Sequence, residues 1–135
     1  VKYLLDTDTC SYIIKKPELI KRRFEKIEAG EICISAITWA ELNTWIMMSS
    51  NPYLRQLSLQ KMFAPIAILP FTTTDANYHG AIRKHIKESG IVIGSLDMLI
   101  AAHALSRGLI VVTNNLKYIS RINSLKVENW LEKNN

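Results

Sequence analysis

Tyr3-Leu4-Leu5-Asp6-Thr7-Asp8-Thr9 is the stretch on which the reading of this chain turns. Three apolar residues without polar alternation form a short buried strand, and the polar run after Leu5 ends it. Cys10 to Ile14 then suits a first turn or two of helix. Leu109-Ile110-Val111-Val112 is the clearest buried strand in the chain, and Ile32 to Ile37 is a second apolar, β-branched run.

Between these strands the pattern is helical. Pro17 suits the first turn of a helix carrying Ile20, Phe24 and Ile27 at helical spacing, and Gly30 suits its C-terminal cap. Thr38 opens a helix through Trp39, Leu42, Trp45 and Ile46, which Asn51-Pro52 breaks. A helix over Tyr53–Phe63 leads to a strand over Ile66–Leu69 bracketed by Pro65 and Pro70. Thr74–Ser89 reads as one longer helix with Tyr78, Ile82 and Ile86 on one side. Ser95 caps a further helix, with Leu96, Leu99, Ile100 and His103 inward and Gly108 just past its end. Strands alternating with helices predict a three-layer α/β/α sandwich around a mainly parallel sheet, whose chemistry sits beyond the C-terminal strand ends.

The composition bounds the rest. At 135 residues, 48% hydrophobic and 21% charged, the chain fits a single domain over 1–135 with a full apolar core. Five Gly and four Pro are scattered singly, which excludes disorder. No apolar run approaches the ~18 residues of a membrane span, and the first apolar stretch stops at Asp6, too early for a signal peptide. A cytoplasmic protein without membrane contact is expected, with Cys10 and Cys33 as free thiols. Seventeen Lys and Arg against 12 Asp and Glu give +5, which favours a polyanionic partner.

Against that positive balance the acidic residues at predicted junctions stand out. Asp6 follows the first strand, Glu41 lies just inside the helix after the second, Asp97 starts the helix before the last, and Asn115 follows that strand. A parallel sheet can bring all four to one edge. Two carboxylates ~4 Å apart repel by about 4 kcal/mol at an effective dielectric of ~20. A hard divalent cation such as Mg²⁺ or Mn²⁺ removes that penalty, holds a phosphate oxygen and generates hydroxide for in-line attack.

Each position also has a purely structural reading. Thr38-Trp39-Ala40-Glu41 forms a capping box, and Asp97 in a first turn complements the helix dipole. Asp6 and Asp8 can make an Asx turn, and Asn114-Asn115 is a common turn pair. A carboxylate ending an apolar strand has little local structural need, so Asp6 leans toward function.

The combined pattern resembles the PIN-domain ribonucleases, and within them the VapC toxins of bacterial toxin–antitoxin pairs. Four segments carry the likeness in order: Leu4-Leu5-Asp6-Thr7-Asp8, Ile37-Thr38-Trp39-Ala40-Glu41-Leu42, Gly94 to Ala104 around Asp97, and Val111-Val112-Thr113-Asn114-Asn115. The ending Val127-Glu128-Asn129-Trp130 is also similar. The resemblance implies a Mg²⁺- or Mn²⁺-dependent endoribonuclease with Asp6, Glu41 and Asp97 as its acidic triad. Asp6 and Asp97 would ligate the metal, and Glu41 would do so directly, through a water, or by positioning the attacking water. Asp8, Thr7, Thr113 and Asn115 would support the site.

Two positions depart from the family. Asn115 stands where many members have a fourth carboxylate, so the pattern for a second metal is incomplete. Trp45 replaces a common glycine and, with Trp39 and Met47-Met48, makes a bulky helix, either core or a patch for the antitoxin. Basic clusters at Lys15, Lys16, Lys21, Arg22, Arg23 and Lys26, and at Arg83, Lys84, His85 and Lys87, are either solvated helix faces or RNA contacts. The likeness further implies a structured RNA target, tRNA foremost, a VapB-type antitoxin and a homodimer. Two other functions fit parts of the pattern. A haloacid-dehalogenase-type phosphatase shares the strand followed by Asp6-Thr7-Asp8, and a noncatalytic RNA- or protein-binding module could share the fold.

Overall fold

The computed structural model describes residues 1–131. The last four residues of the expected domain, 132–135, lie outside the described residues. Five strands, β1 (Tyr3–Leu5), β2 (Ile32–Ser35), β3 (Ala67–Leu69), β4 (Ile110–Val112) and β5 (Val127–Glu128), form one sheet in the order β3-β2-β1-β4-β5. All four pairings are parallel, with Leu5 opposite Ile34 on one side and Val112 on the other. The helices are α1 (Thr7–Lys15), α2 (Lys21–Glu25), α3 (Ala36–Met47), α4 (Pro52–Phe63), α5 (Thr73–Asn77), α6 (His79–Glu88), α7 (Ser95–Arg107) and α8 (Leu116–Ile119).

The strand order dictates the layers. From β1 the chain moves to β2 and then β3, and the right-handed rule for parallel crossovers puts α1 to α4 on one face. It then returns across the sheet to β4 and β5, which puts α5 to α8 on the other. Side-chain alternation along the strands agrees. Tyr3, Leu5, Ile32, Ile34 and Val112 pack with Ile13, Leu42, Leu59 and Phe63. Leu4, Cys33 and Val111 face the opposite way, onto Ile100 and Ala104. A further cluster joins Ile82, Ile86, Met98, Ala101, Ile119 and Ile122 beneath α6, α7 and α8. Cys10 and Cys33 are free and buried, and burial raises both thiols, Cys33 to about 11.

Several element boundaries differ from expectation. The segment read as a helix from Pro17 to Gly30 is a 3₁₀ turn (Pro17–Leu19), the short α2, and a second 3₁₀ turn (Ala29–Glu31) that contains Gly30. Bonds from the Lys26 and Ile27 amides to Arg23 and Phe24 tighten the end of α2 and stop it. The helix expected over Thr74–Ser89 breaks at Tyr78, whose amide bonds three residues back to Asp75 and whose ring is exposed. On α7 the cap is Gly94 rather than Ser95, and Leu96 faces solvent while Met98, Ala101 and Ala102 turn inward. Gly108 ends that helix at φ 66°, in the left-handed region that suits glycine. β5 and α8 are absent from the sequence reading because each is only a few residues long.

One buried ion pair fastens α5 to α7. Asp75 is fully buried, and Arg107 donates to it twice, Nε to Oδ1 at 3.1 Å and Nη2 to Oδ2 at 3.2 Å. Arg107 also donates to the Pro70 carbonyl, and the Thr72 amide donates to Asp75 Oδ2 at 2.7 Å. Burial alone would raise the Asp75 carboxyl. The bonds from Arg107, Thr72 and Ser106 outweigh it and hold the group well below its ordinary 3.8. A carboxyl depressed in the folded state contributes stability that is present above its unfolded pKa and is lost as pH falls toward its folded one. Asp75→Asn is therefore expected to lower Tm at pH 7 by about 5 °C or more. Thermal denaturation between pH 4 and pH 2 should fall steeply in the wild type and less steeply in the variant.

Candidate active site

Asp6 sits at the sheet's topological switch point, where the connections from neighbouring strands leave for opposite faces. Its amide bonds Val112 O at 3.0 Å, which ties the end of β1 to β4. Its Oδ1 accepts from the Thr9 amide at 2.8 Å, so Asp6 is the N-cap of α1. The local structural role missing from the sequence reading is thus present. Burial pushes the Asp6 carboxyl up to about 6, even though hydrogen bonds from Thr113 and Thr9 pull it down. Asp8, exposed in the first turn of α1, adds a smaller upward push.

Glu41 reaches the same region from β2's side. The expected capping box at Thr38 does not form, because β2 stops at Ser35 and the Ser35 hydroxyl accepts from the Ile37 amide at 3.0 Å. Helix α3 therefore starts two residues early, and Glu41 is its sixth residue, too deep to cap it. Its Oε1 accepts instead from the Thr7 hydroxyl at 2.5 Å. Thr7 Oγ1 also shares a hydrogen bond with the buried Thr38 hydroxyl at 3.2 Å. Glu41 is thereby fixed against the residue that follows Asp6.

Asp97, third residue of α7, supplies the remaining carboxylate. Burial raises it first, then the charges of Glu41 and Asp8. That electrostatic coupling links α7, α3 and α1 at one rim. Gly94 lies against Asp97, and a Cβ there would stand 3.4 Å from Asp97 Oδ2, at van der Waals contact. Thr113 and Asn115 line the exit of β4, where the Asn115 amide donates to the Thr113 hydroxyl at 3.0 Å. The Asn115 side chain makes no cap bond to α8.

As the side chains stand, no three His, Cys, Asp or Glu among the described residues form a group that could hold a metal ion. The donor chemistry nevertheless suits a hard divalent cation: the residues expected at the site offer carboxylates, hydroxyls and one amide, with no imidazole or thiolate among them. The charges of Glu41 and Asp8 push up the Asp97 carboxyl, and a site with that much negative charge favours a cation.

Other predicted residues separate. Arg22 and Arg23 lie on α2 and Arg83 and Lys84 on α6, on opposite faces of the sheet. Arg23 pairs with Glu128 at 2.5 Å, Lys84 lies 3.9 Å from Glu88, and Lys15 stacks 3.9 Å above the Trp45 ring. Lys16, Arg22 and Arg83 are exposed. Trp39 packs edge-on against Phe63 and belongs to the core. Trp45 is exposed and lines a largely apolar groove of about 560 Å³ between α1, α3 and α4, with Leu42, Met48 and Met62. The sequence does not mark Thr9 and Thr38 as supports of the site. Both are polar residues at element starts, and only their burial reveals them.

The chain matches the family model described as PIN domain over residues 3–125. It is 38% identical over 131 residues to the tRNA(fMet)-specific endonuclease VapC of Salmonella typhimurium, covering 96% of this chain and 98% of that one. It is also 38% identical to the ribonuclease VapC2 of Haemophilus influenzae, covering 97% and 99%. Among solved structures, the DNA-bound VapBC of Salmonella typhimurium matches with a TM-score of 0.89 at 37% identity, covering 96% of this chain and 98% of that one. The VapBC2 of Rickettsia felis, bound to a DNA fragment from its promoter, matches with 0.88 at 32% identity, covering 96% and 99%. With full-length likeness in both sequence and fold, this chain belongs to the PIN-domain family and, within it, to the VapC ribonucleases.

Proposed function

We propose that the protein is a Mg²⁺- or Mn²⁺-dependent endoribonuclease toxin that cleaves structured RNA, with tRNA its foremost substrate, and so arrests translation. The observation that carries this reading is the arrival of Asp6, Glu41 and Asp97 from three separate elements at the C-terminal rim, where Asp97 feels the charge of Glu41. Asp6 and Asp97 would hold the metal, with Glu41 joining directly or through a water. The metal, when bound, supplies a Lewis acid for the phosphate and an activated water. Thr7 keeps Glu41 aimed by donating to it, while Thr9 and Thr113 hold Asp6 in place. Asn115 contributes an amide without charge. Lys15, Lys16, Arg22, Arg23, Arg83 and Lys84 remain candidates for RNA phosphates, with the two faces serving separate stretches of the molecule.

The substrate assignment draws on relatives named as tRNA(fMet)-specific endonucleases. The phosphatase alternative would make Asp6 a covalent nucleophile, and family membership removes its support. A VapB-type antitoxin is the proposed partner, supported by VapBC complexes among the structural neighbours. The apolar groove beside Trp45 and Met48 is the surface proposed for it, and a homodimer is the proposed working unit. Among the described residues no helix is long and apolar enough to cross a membrane, in keeping with the proposed cytoplasmic site of action.

Incubating antitoxin-free protein with total RNA and Mg²⁺ should yield discrete cleavage products that EDTA abolishes. Asp97→Asn is expected to lower cleavage on the order of 100-fold or more. Because it relieves repulsion with Glu41 and Asp8, Tm in metal-free buffer should hold or rise. Cleavage that survives both EDTA and Asp97→Asn would sink the metal mechanism. For the groove, Met48→Glu should weaken antitoxin binding by about tenfold or more while leaving RNA cleavage by the free protein unchanged.

A further inference from the structure

Beneath the rim, a column of polar side chains crosses the otherwise apolar layer between the sheet and α7. His103 is fully buried, and its Nδ1 lies 2.9 Å from Ser35 Oγ. Its Nε2 lies 3.6 Å from Asp75 Oδ2 and is, among the described residues, the one buried side-chain nitrogen or oxygen without a hydrogen-bond partner. The Asp75 anion, held by Arg107, favours the tautomer with its proton on Nε2, which leaves Nδ1 to accept the Ser35 hydroxyl proton. Ser35 Oγ in turn accepts from the Ile37 amide. The imidazole therefore fixes the hydroxyl that caps α3.

A core imidazole with a partnerless nitrogen carries a desolvation cost that an apolar side chain of similar size would avoid. Its location supplies a use for that cost. His103 stands six residues beyond Asp97 on α7, and Ser35 stands six residues before Glu41 at the start of α3. The two helices touch, and the Ser35–His103 bond joins the cap of α3 to α7. We propose that His103 is a positioning residue: through Ser35 it sets α3 against α7, and so sets the separation of the Glu41 and Asp97 carboxylates. The catalytic part of this proposal rests on the nuclease reading above, whereas the mechanical part does not.

The test compares full-length wild type with His103→Leu, His103→Asn and Arg107→Ala. The asparagine amide can restore the bond to Ser35, and Arg107→Ala loosens the same column without touching Ser35. His103→Leu should lower kcat for RNA cleavage about tenfold with KM nearly unchanged, and His103→Asn should recover most of it. Arg107→Ala should lose thermal stability and keep kcat. By hydrogen exchange, the Ile37 amide of His103→Leu should open roughly tenfold faster than its change in global stability accounts for. An Ile37 amide that exchanges in step with global stability overturns the proposal, and so does an equal loss of kcat in Arg107→Ala. Should wild type cleave no RNA at all, the nuclease reading falls by itself and the Ile37 exchange still decides whether His103 holds α3.

Discussion

The parallel pairing of β1 with β2 on one side and β4 on the other is the constraint from which the remaining structure follows. A central strand buried on both faces must be apolar, and its crossovers must leave right-handed toward both edges. Helices then diverge above its C-terminal end and open a crevice there. Asp6 is the first residue past that end, so its position is set by topology before any chemistry is asked of it. Val112 O repeats the point at atomic scale, since it accepts from both the Asp6 amide and the Thr9 hydroxyl. One carbonyl of β4 thereby anchors the strand end and the first turn of α1.

A crevice lined by acids works against the fold. Burial raises Asp6 and Asp97, and Glu41 and Asp8 raise Asp97 further, so the folded state holds negative charge where it is least welcome. The chain offsets this with donors that hold individual groups: Thr9 and Thr113 on Asp6, and Thr7 on Glu41. At Asp75, Arg107 adds full countercharge to the bonds from Thr72 and Ser106, and the carboxyl is depressed instead. The contrast between a neutralised aspartate in the core and crowded ones at the rim separates structure from function within one residue type.

Much of this was legible residue by residue. The three apolar runs at Tyr3, Ile32 and Leu109 are strands because their hydrophobicity has no alternation, and the observed β1, β2 and β4 fall within them. Asp6, Glu41 and Asp97 were readable as junction carboxylates, and family likeness gave them their expected roles. Local rules failed where two elements compete for the same residue. Thr38 with Glu41 satisfies the capping-box pattern, yet Ser35 takes the cap because β2 ends with its side chain already turned to the Ile37 amide. The length of the helix after Pro17 and the break at Tyr78 depend on i−3 bonds that no propensity scale encodes.

Sequence by itself determined the class of fold, the order of its strands and helices along the chain, and the identity of the acidic residues, because periodicity and residue chemistry are local properties. Only the tertiary structure decided that Thr7 belongs to Glu41, that Trp39 is core while Trp45 is surface, and that the two basic clusters occupy opposite faces. It also decided that His103 meets Ser35 and Asp75 in the core. The contacts among these join residues more than 20 positions apart, and parallel strand pairing brings them together across a sheet whose order differs from the order of the chain.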